Sequence, residues 1–404
     1  MTSFDILIIG AGPAGLCLAR ALSGAGLRIG VVEQQPLAAL ADPPFDGREI
    51  ALTQRSARTL RELGLWPRIL ERDPAAIAPL RDARVLNGVS PFAMVIGHGL
   101  TARSELGWLI SNHLIRHAAF EAVQAAASEH GDITLLTGQP VEQVQCGDEH
   151  AQVRLADGSV HQARLLVAAD SRFSSTRRAA GIGASQFDFG RTMLVCQMTI
   201  EQPHEHVAWE WFDLGQTLAL LPMNDDPASG AHRASVVLTL PHQQMAPLMS
   251  MEEEAFGQEM ARRFHGRLGA MRLQSTRHLY PLVGMYPRQM VARRLACVGD
   301  AAVGMHPVTA HGFNFGLLSI DALARQLRAA HAAGADIAAP ALLARYQRRH
   351  RLATRPLYEA TRLVALLYTT ESPPARLLRE GALRVAEKMV PFKRLIAASL
   401  AGER

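Results

Sequence analysis

The chain of 404 residues is longer than one compact core usually needs, so two domains are predicted. Apolar residues make up 48% and charged residues 20%, which is typical of a globular protein that folds without disulfides or a structural metal. The four cysteines lack C-x-x-C spacing, so neither a zinc site nor a disulfide framework is expected, and free thiols favour a cytoplasmic location. No apolar run reaches the ~18 residues of a spanning helix.

The net charge of +5 is unevenly distributed. Residues 341–404 contain 13 Lys and Arg against 5 Asp and Glu, whereas the rest of the chain is slightly acidic. One interpretation is a solvated helical face, and the other is attraction to an anionic surface such as a membrane. Nucleic-acid binding is not expected, because no recognised reading module accompanies these charges.

Apolar patterns predict the elements in chain order. Residues 4–9, 14–25 and 28–33 form a strand, a helix and a strand, which is a βαβ unit. Further predicted elements follow: helices 54–64 and 105–128, strands 133–137, 150–155, 164–169, 191–199, 207–213, 217–222 and 234–240, helix 252–265, strand 294–299 and helix 312–330. The tail from residue 340 is predicted to be helical, with breaks at Pro356 and at Pro373-Pro374.

These elements predict an α/β fold in which a Rossmann-type domain carries an inserted antiparallel-sheet domain and a helical C-terminal tail. The predicted nucleotide-binding domain is discontinuous and comprises residues 1–75, 100–184 and 275–340. Residues 76–99 and 185–274 are assigned to the substrate domain, and residues 341–404 to the helical tail.

The glycine motif at the first strand predicts a dinucleotide site. Gly10, Gly12 and Gly15 fit G-x-G-x-x-G between a strand and a helix, where the helix N-terminus attracts phosphates. Glu33 ends the second strand, where a carboxylate can accept hydrogen bonds from ribose hydroxyls. This motif alone does not distinguish FAD from NAD.

A second motif near residue 300 favours FAD. An apolar strand ends in Gly299-Asp300, and Gly312 opens a helix shortly afterwards. Asp300 can accept a hydrogen bond from a ribityl hydroxyl, and the helix N-terminus can stabilise the negative charge that a flavin ring gains on reduction. FAD is long enough to need both motifs.

With these motifs the chain resembles the FAD-dependent aromatic hydroxylases of ubiquinone biosynthesis, within the single-component flavoprotein monooxygenases. The resemblance covers nearly the whole chain. Its motifs are Gly10 to Gly15 with Glu33, Asp46-Gly47-Arg48, Leu106-Gly107-Trp108 with Asn112, Asp170 with Ser174 and Arg177, Ala219 to Pro222, Tyr280-Pro281-Leu282, and Gly299-Asp300. The run from His306 to Asn314 is most similar to the 5-demethoxyubiquinol hydroxylase branch. Ser171 stands where the family usually has glycine, and Ala310-His311 stands where it usually has Gly-Gln.

The resemblance implies that FAD is reduced by NAD(P)H and reacts with O2 to a C4a-hydroperoxide, which hydroxylates an electron-rich phenol ring. The expected cofactor-binding residues are Gly10, Gly12, Ala14, Gly15, Glu33, Arg48, Asn112, Asp170, Gly299, Asp300, Gly312, Phe313 and Asn314. His306 is the candidate catalytic residue, although a structural histidine explains it equally well. Trp211, Leu220, Pro222 and Pro307 are candidate substrate contacts, and no metal is expected.

The implied substrate is a polyprenylated phenol or demethoxyubiquinol, which resides in a bilayer. In the predicted helix near 376–396, apolar residues recur at helical spacing with basic residues nearby. That composition suits peripheral docking to the inner membrane or binding to partners in a biosynthetic complex. Two alternatives stay open at this point. One is a prenyl-lipid reductase or epoxidase on the same scaffold, and the other is a non-catalytic subunit that binds FAD or lipid.

Overall fold

The computed structural model describes residues 2–88, 93–100, 103–213, 215–306 and 311–369, together with Lys393 and Ala397. Its strands are β1 (Thr2–Ile9), β2 (Ile29–Glu33), β3 (Glu49–Thr53), β4 (Ala78–Leu80), β5 (Asp82–Asn87), β6 (Ala93–Gly97), β7 (Gly107–Ser111), β8 (Ile133–Thr137), β9 (Val141–Cys146), β10 (Ala151–Leu155), β11 (Val160–Ala168), β12 (Ala184–Ile200), β13 (Val207–Asp213), β14 (Gln216–Pro222), β15 (His232–Pro241), β16 (Met271–Leu273), β17 (His278–Pro287), β18 (Val291–Ala292) and β19 (Leu295–Cys297). Its helices are α1 (Pro13–Leu22), α2 (Leu37–Ala41), α3 (Gln54–Glu62), α4 (Leu65–Arg72), α5 (Asn112–His130), α6 (Ser175–Ala179), α7 (Met245–Ser250), α8 (Glu253–Arg263), α9 (Gly312–Ala332) and α10 (Pro340–Thr369).

A largely parallel sheet, here called the parallel sheet, has the strand order β18-β19-β11-β1-β2-β8, and β10 and β9 extend it from β11. The central strand β1 pairs in parallel with β2 and β11. Ile6 and Ile8 pack on the side of α1, α5 and α9, while Leu7 and Ile9 pack into the core on the other face. Burial on both faces explains why β1 reads as a continuous apolar run. The predicted Rossmann-type unit is confirmed.

A mostly antiparallel sheet, here called the large sheet, has the order β16-β12-β15-β14-β13-β5-β6, and β17 also pairs with β12. Within it, β13 and β5 pair in parallel. Its core face buries alternate apolar residues, among them Cys196, Leu218 and Val236, against residues of α7 and α8. The opposite face carries the row Val195, Val237, Ala219 and Glu210, which are successive partners on β12, β15, β14 and β13. This sheet confirms the predicted second, antiparallel part of the fold.

A three-stranded sheet, the small sheet, has the order β3-β7-β4 and connects the two larger sheets. Asn314 at the start of α9 accepts a hydrogen bond from the Thr53 N–H at 3.0 Å and donates one to the Ala51 carbonyl at 2.8 Å. On the other side, Gln197 of the large sheet donates to Glu49 of β3 at 3.0 Å. The small sheet therefore lies between the nucleotide-binding elements and the second face of the large sheet, which we call the cleft face.

The predicted helix over 105–128 is wrong at its start. Residues Gly107–Ser111 form β7, and α5 begins only at Asn112. A Cβ on Gly107 would lie 2.1 Å from the Leu52 carbonyl oxygen, so the glycine allows β7 to pair closely with β3. A short apolar run is compatible with either a strand or a helix, and here distant pairing decides.

Two further expectations need correction. The predicted boundary at residue 275 assigns β17 to the nucleotide-binding domain, but β17 pairs with β12 of the large sheet. The predicted break at Pro356 does not occur, because α10 continues through it. Pro356 is exposed, while Thr354, Tyr358 and Thr361 bury the opposite side of the helix, so packing offsets the lost backbone hydrogen bond.

The break predicted at Pro373-Pro374 and nearly all of the predicted helix 376–396 lie outside the described residues. Within the part of the chain that the structure describes, no helix has the length and apolar composition needed to cross a bilayer.

Candidate active site

The glycine loop lies between β1 and α1, at the carboxyl edge of the parallel sheet. A Cβ on Gly15 would lie 1.9 Å from the Gly10 carbonyl oxygen, so only glycine lets α1 approach the loop this closely. The Glu33 carboxylate accepts hydrogen bonds from the Ala11 N–H at 2.8 Å and the Gln35 N–H at 3.0 Å. Glu33 therefore holds the loop, and it keeps lone pairs for ribose hydroxyls.

The N-terminus of α1 fits a phosphate group. No side chain caps it, its first turn contains no acidic residue, and the space beside Gly12 is open where a Cβ would point. Free N–H groups and the positive end of the helix dipole therefore face open space. The residues present fit the pyrophosphate of a dinucleotide.

The segment between β19 and α9 packs directly against this loop. Gly299 has a φ of +60°, and a Cβ there would lie 2.7 Å from the Ala14 side chain. Gly312 opens α9 with no side-chain cap and with open space at its Cβ position, and Phe313 packs against the core beneath. The structure thus brings both predicted glycine motifs together, on two adjacent uncapped helix N-termini. That arrangement fits one long ligand such as FAD.

Asp300 lies at the start of the turn after β19 and forms an ion pair with Arg172 at 3.0 Å. Arg172 also donates to the Val283 carbonyl of β17 at 2.9 Å. Asp300 is thereby held at the junction of the parallel and large sheets. Arg172 donates to Oδ2 of this carboxylate, so Oδ1 is the oxygen that fits a ribityl hydroxyl.

Arg48 is positioned by a polar cluster at the edge of the small sheet. Its guanidinium contacts Asp46 Oδ2 at 2.6 Å, and Asn112 donates to the same oxygen at 2.7 Å. Burial alone would raise the pKa of Asp46, but the charge and hydrogen bonds of Arg48 and the bond from Asn112 outweigh it and lower that pKa. Tyr280 donates to the Asp46 carbonyl at 2.6 Å. The predicted residues Arg48 and Asn112 are therefore brought together. The negative charge of Asp300 is among the causes that raise the pKa of Arg48, after those from Asp46 and Tyr280.

Asp170 caps the short helix α6. It accepts hydrogen bonds from the Ser174 hydroxyl and, at 3.1 Å, from the Thr176 N–H. Its backbone lies beside Gly10, because a Cβ on Gly10 would be 3.1 Å from the Asp170 nitrogen. Ser171 has a φ of +82°, in the left-handed region that favours glycine, which explains why its family resemblance predicts glycine at this position. A cofactor contact of Asp170 stays a prediction.

His306 packs edge-on against Phe189, with ring centroids 4.6 Å apart. Burial, and then the nearby charge of Arg172, lower its pKa to about 4. His306 is therefore a neutral ring at pH 7, able to hydrogen-bond but not to supply positive charge. Its catalytic role stays a prediction.

Three of the predicted substrate contacts lie on the wrong face of the large sheet. Trp211, Leu220 and Pro222 point to the core face, and Trp211 is fully buried with its Nε1 donating to the Gly88 carbonyl at 2.9 Å. Strand alternation separates the two faces of a sheet but does not say which face a helix covers. Here residues of α8 cover the face that carries Trp211 and Leu220. The fourth candidate, Pro307, lies outside the described residues.

A cavity of about 320 Å³, which we call the cleft cavity, lies between the small sheet and the cleft face. It is bordered by Phe45 and Glu49 near β3, by Ser111 and His113 near β7, and by Gln197 and Arg233 of the large sheet. Its volume is at the lower end of the range for ligand pockets and suits a single substituted ring. The Arg48 cluster adjoins it, because Arg48 precedes Glu49 and Asn112 follows Ser111.

Two carboxylic acids of the cleft were not predicted from the sequence. Burial raises the pKa of Glu49 to about 7 and that of Glu210, on the cleft face, to about 8. Each is an acidic residue within an apolar strand, in the runs Glu-Ile-Ala-Leu and Trp-Glu-Trp-Phe. That pattern is a signal for a special site, since an enclosed carboxylate is costly unless it is used or paired. Among the described residues, no group of three or more His, Cys, Asp or Glu could hold a metal ion.

The described site combines a Rossmann-type dinucleotide cradle with an enclosed cleft beside it, which defines a flavin-dependent enzyme. The sequence profile of the FAD binding domain family matches residues 3–361, so the chain belongs to this family of FAD-dependent monooxygenases. It is 44% identical to the ubiquinone hydroxylase UbiM of Neisseria meningitidis over 98% of this chain and 84% of that one. It is 33% identical to the ubiquinone hydroxylase UbiL of Rhodospirillum rubrum, over 97% and 88% of the two chains. Among solved structures, PqsL of P. aeruginosa in complex with 2-aminobenzoylacetate has the same fold, with a TM-score of 0.75, 21% identity and coverage of 91% and 97%.

Proposed function

We propose that this protein hydroxylates the aromatic ring of a polyprenylated phenol in ubiquinone biosynthesis, using NAD(P)H and O2. The observation that carries the proposal is the cleft cavity, which adjoins the Arg48 cluster and is bordered by the carboxylic acid of Glu49. The names of UbiM and UbiL support the substrate class.

The residues that would hold FAD follow from the geometry. The glycine loop and the N-terminus of α1 fit the pyrophosphate, and Glu33 fits the adenosine ribose. Asp300 and the N-terminus of α9 fit the ribityl chain and the flavin ring, and Arg48 lies beside them. When bound, FAD supplies the reducing equivalents and the activation of O2.

The protein's own contribution is to orient the ring and to exclude water. The cleft face presents half-buried apolar side chains, among them Met193, Ala219, Leu221 and Val237, which fit an aromatic ring and the first part of a prenyl chain. Met198, in contrast, lies in the core of the large sheet. A dry, shaped cleft favours oxygen transfer to the ring over loss of the oxidising equivalents as H2O2.

The test uses the full chain reconstituted with FAD. We expect a flavin spectrum, NAD(P)H oxidation that a short-chain prenylphenol stimulates, and a product that is heavier by one oxygen atom. Tandem mass spectrometry then locates that atom. Oxygen on the ring supports the hydroxylase, whereas oxygen on the prenyl chain identifies an epoxidase and a product gain of two hydrogens identifies a reductase. Tight FAD binding without any turnover would identify a non-catalytic subunit.

We also propose that α10 attaches the protein to an anionic membrane surface. This helix contains six arginines and one acidic residue. Leu352 and Leu363 are 72% and 66% exposed, and they lie on the same side of the helix as the exposed Arg348 and Arg355. Exposed leucines flanked by arginines fit the interface of an anionic bilayer. Such attachment would place the protein next to a substrate that resides in the bilayer.

Vesicle sedimentation tests this attachment. Binding to phosphatidylglycerol vesicles should exceed binding to phosphatidylcholine vesicles, and Leu352→Ser should weaken it. Leu37→Ser is the matched control, because Leu37 is 45% exposed but belongs to α2. Equal binding of the wild type and Leu352→Ser would contradict a membrane role for α10.

A further inference from the structure

Glu49 is the first residue of β3, and its side chain borders the cleft cavity. Gln197 of the large sheet donates to its carboxylate at 3.0 Å. Ser111, the register partner of Glu49 on β7, forms a second hydrogen bond with it. Two neighbouring elements therefore hold the carboxylate at the wall of the cavity, in a fixed orientation.

The surroundings of Glu49 keep it between its two protonation states near neutral pH. Burial raises the pKa to about 7, the bonds from Gln197 and Ser111 lower it, and Asp46 and Arg233 act in opposite directions at longer range. The cavity also contacts Arg72 and Asp73 near its exposed side. A carboxylate poised near the working pH is the usual state of a catalytic base.

A hydrogen-bonded path leads away from Glu49. The Ser111 hydroxyl, which is buried, lies 2.8 Å from Nδ1 of His113. Burial is the main cause that lowers the pKa of His113, opposed by Asp46 and reinforced by Arg72, Arg116 and His117. His113 is therefore neutral near pH 7, so its ring can take up a proton in passing and release it readily to water.

We infer that Glu49, Ser111 and His113 form a proton relay that takes the phenolic proton from a substrate ring in the cleft cavity. The inference rests on the proposed hydroxylase function and deepens it. Glu49 is the catalytic base that contacts the substrate, whereas Ser111 and His113 carry the proton onward.

The relay balances in atoms and charge. The phenol O–H bond breaks and its proton binds the Glu49 carboxylate, which leaves a phenolate. Protonated Glu49 then donates to the Ser111 oxygen while the Ser111 hydroxyl gives its proton to Nδ1 of His113, and His113 releases the proton to water. No oxidant or reductant takes part. A phenolate has more electron density on its ring than a phenol, so it is the better acceptor of an electrophilic oxygen.

Other titratable groups fit this task less well. His306 packs beside Phe189 and Arg172, and it does not border the cleft cavity. Glu210 lies on the cleft face, but burial alone perturbs its pKa, and no hydrogen-bonded path leads from it among the described residues. Among the described residues, the Glu49 path links a carboxylate of the cavity wall to a histidine through the Ser111 hydroxyl.

The test compares FAD-reconstituted wild type, Glu49→Gln, Ser111→Ala and the control Glu142→Gln. Glu142 is exposed on β9, so its variant makes the same charge change on the surface. Ring hydroxylation of a short-chain prenylphenol is measured between about pH 5.5 and about pH 8.5. The wild-type rate should rise with pH through about 7, because the base is active when deprotonated. Glu49→Gln should lose that rise and about a hundredfold in rate, with FAD affinity unchanged, and Ser111→Ala should fall between.

A ring-fluorinated prenylphenol separates a base from a structural residue. Its hydroxyl is more acidic, so it ionises without help, and it should recover most of the rate that Glu49→Gln loses. Fluorine NMR of the bound analogue reports ionisation without turnover: near pH 7 it should be ionised in the wild type to a greater extent than in Glu49→Gln.

The outcomes distinguish a failure of the proton relay from a failure of the hydroxylase function. Normal hydroxylation by Glu49→Gln with an unchanged pH profile would overturn the relay and leave the hydroxylase function standing. Absence of any oxygenated product from the wild type would refute the proposed function. In that case the NMR experiment still decides whether Glu49 ionises a bound phenol, and equal ionisation in both proteins would overturn the relay.

Discussion

Removing the side chain of Asn314 tests how α9 and the small sheet are held together. This amide accepts from the Thr53 N–H at 3.0 Å and donates to the Ala51 carbonyl at 2.8 Å, across 261 and 263 residues of sequence. Asn314→Ala removes both bonds, and Asn314 is only 7% exposed, so water can replace them poorly. At about 1 kcal/mol for each bond, the free energy of unfolding should fall by about 2 kcal/mol.

Urea denaturation measures this change, with FAD and without it. Because the bonds join protein to protein, the loss should appear in the FAD-free protein as well. Gln326→Ala on the same helix is the matched control. The Gln326 amide donates to the Ala322 carbonyl within α9 and accepts from the exposed Arg345 side chain of α10. Water can replace these bonds near the surface, so the change should stay within about 0.5 kcal/mol. A loss for Asn314→Ala no larger than that of the control, in the FAD-free protein, would refute this account of Asn314 as a link to β3.

Three further predictions concern other parts of the fold. Ser171→Gly should raise the free energy of unfolding by about 1 kcal/mol, because Ser171 has a φ of +82°; a decrease in urea denaturation would contradict this. Trp211→Phe should lower the free energy of unfolding by about 1 kcal/mol, because it removes the hydrogen bond to the Gly88 carbonyl, and it should leave the KM for the phenol unchanged. A raised KM with unchanged stability would instead show that Trp211 contacts the substrate. His350 is buried with a folded-state pKa of about 4, below its usual 6.5, so the unfolded chain binds the extra proton. Stability should therefore fall as pH drops from about 6.5 toward about 4, by up to about 1.4 kcal/mol per pH unit, and His350→Leu should flatten that slope; parallel slopes would refute the assignment.

The nucleotide cradle could be predicted from the sequence because its signals are local. The glycine loop, the strand before it and the helix after it lie within one short segment, and Glu33 follows on the next strand. Gly299, Asp300 and Gly312 form a second local motif. The two motifs were predicted to lie side by side because FAD is long enough to need both. The close approach of Gly299 to the Ala14 side chain confirms this prediction.

The cleft could be predicted only in part, because distant pairing decides its walls. Residues Gly107–Ser111 are apolar enough for a helix, and pairing with β3 makes them a strand. Strand alternation puts Trp211 and Glu210 on opposite faces of β13, but the packing of α8 decides that Trp211 is the core residue. Glu49 gains its role from Gln197 and Ser111, which are far away in sequence.

Labelled oxygen gives a direct test of the proposed hydroxylation of the aromatic ring. The FAD-reconstituted protein would be given NAD(P)H, a short-chain prenylphenol and 18O2, and the product analysed by tandem mass spectrometry. We expect one labelled oxygen atom on the aromatic ring, at a rate coupled to NAD(P)H consumption. Bound flavin that consumes NAD(P)H while the ring acquires no labelled oxygen would contradict it.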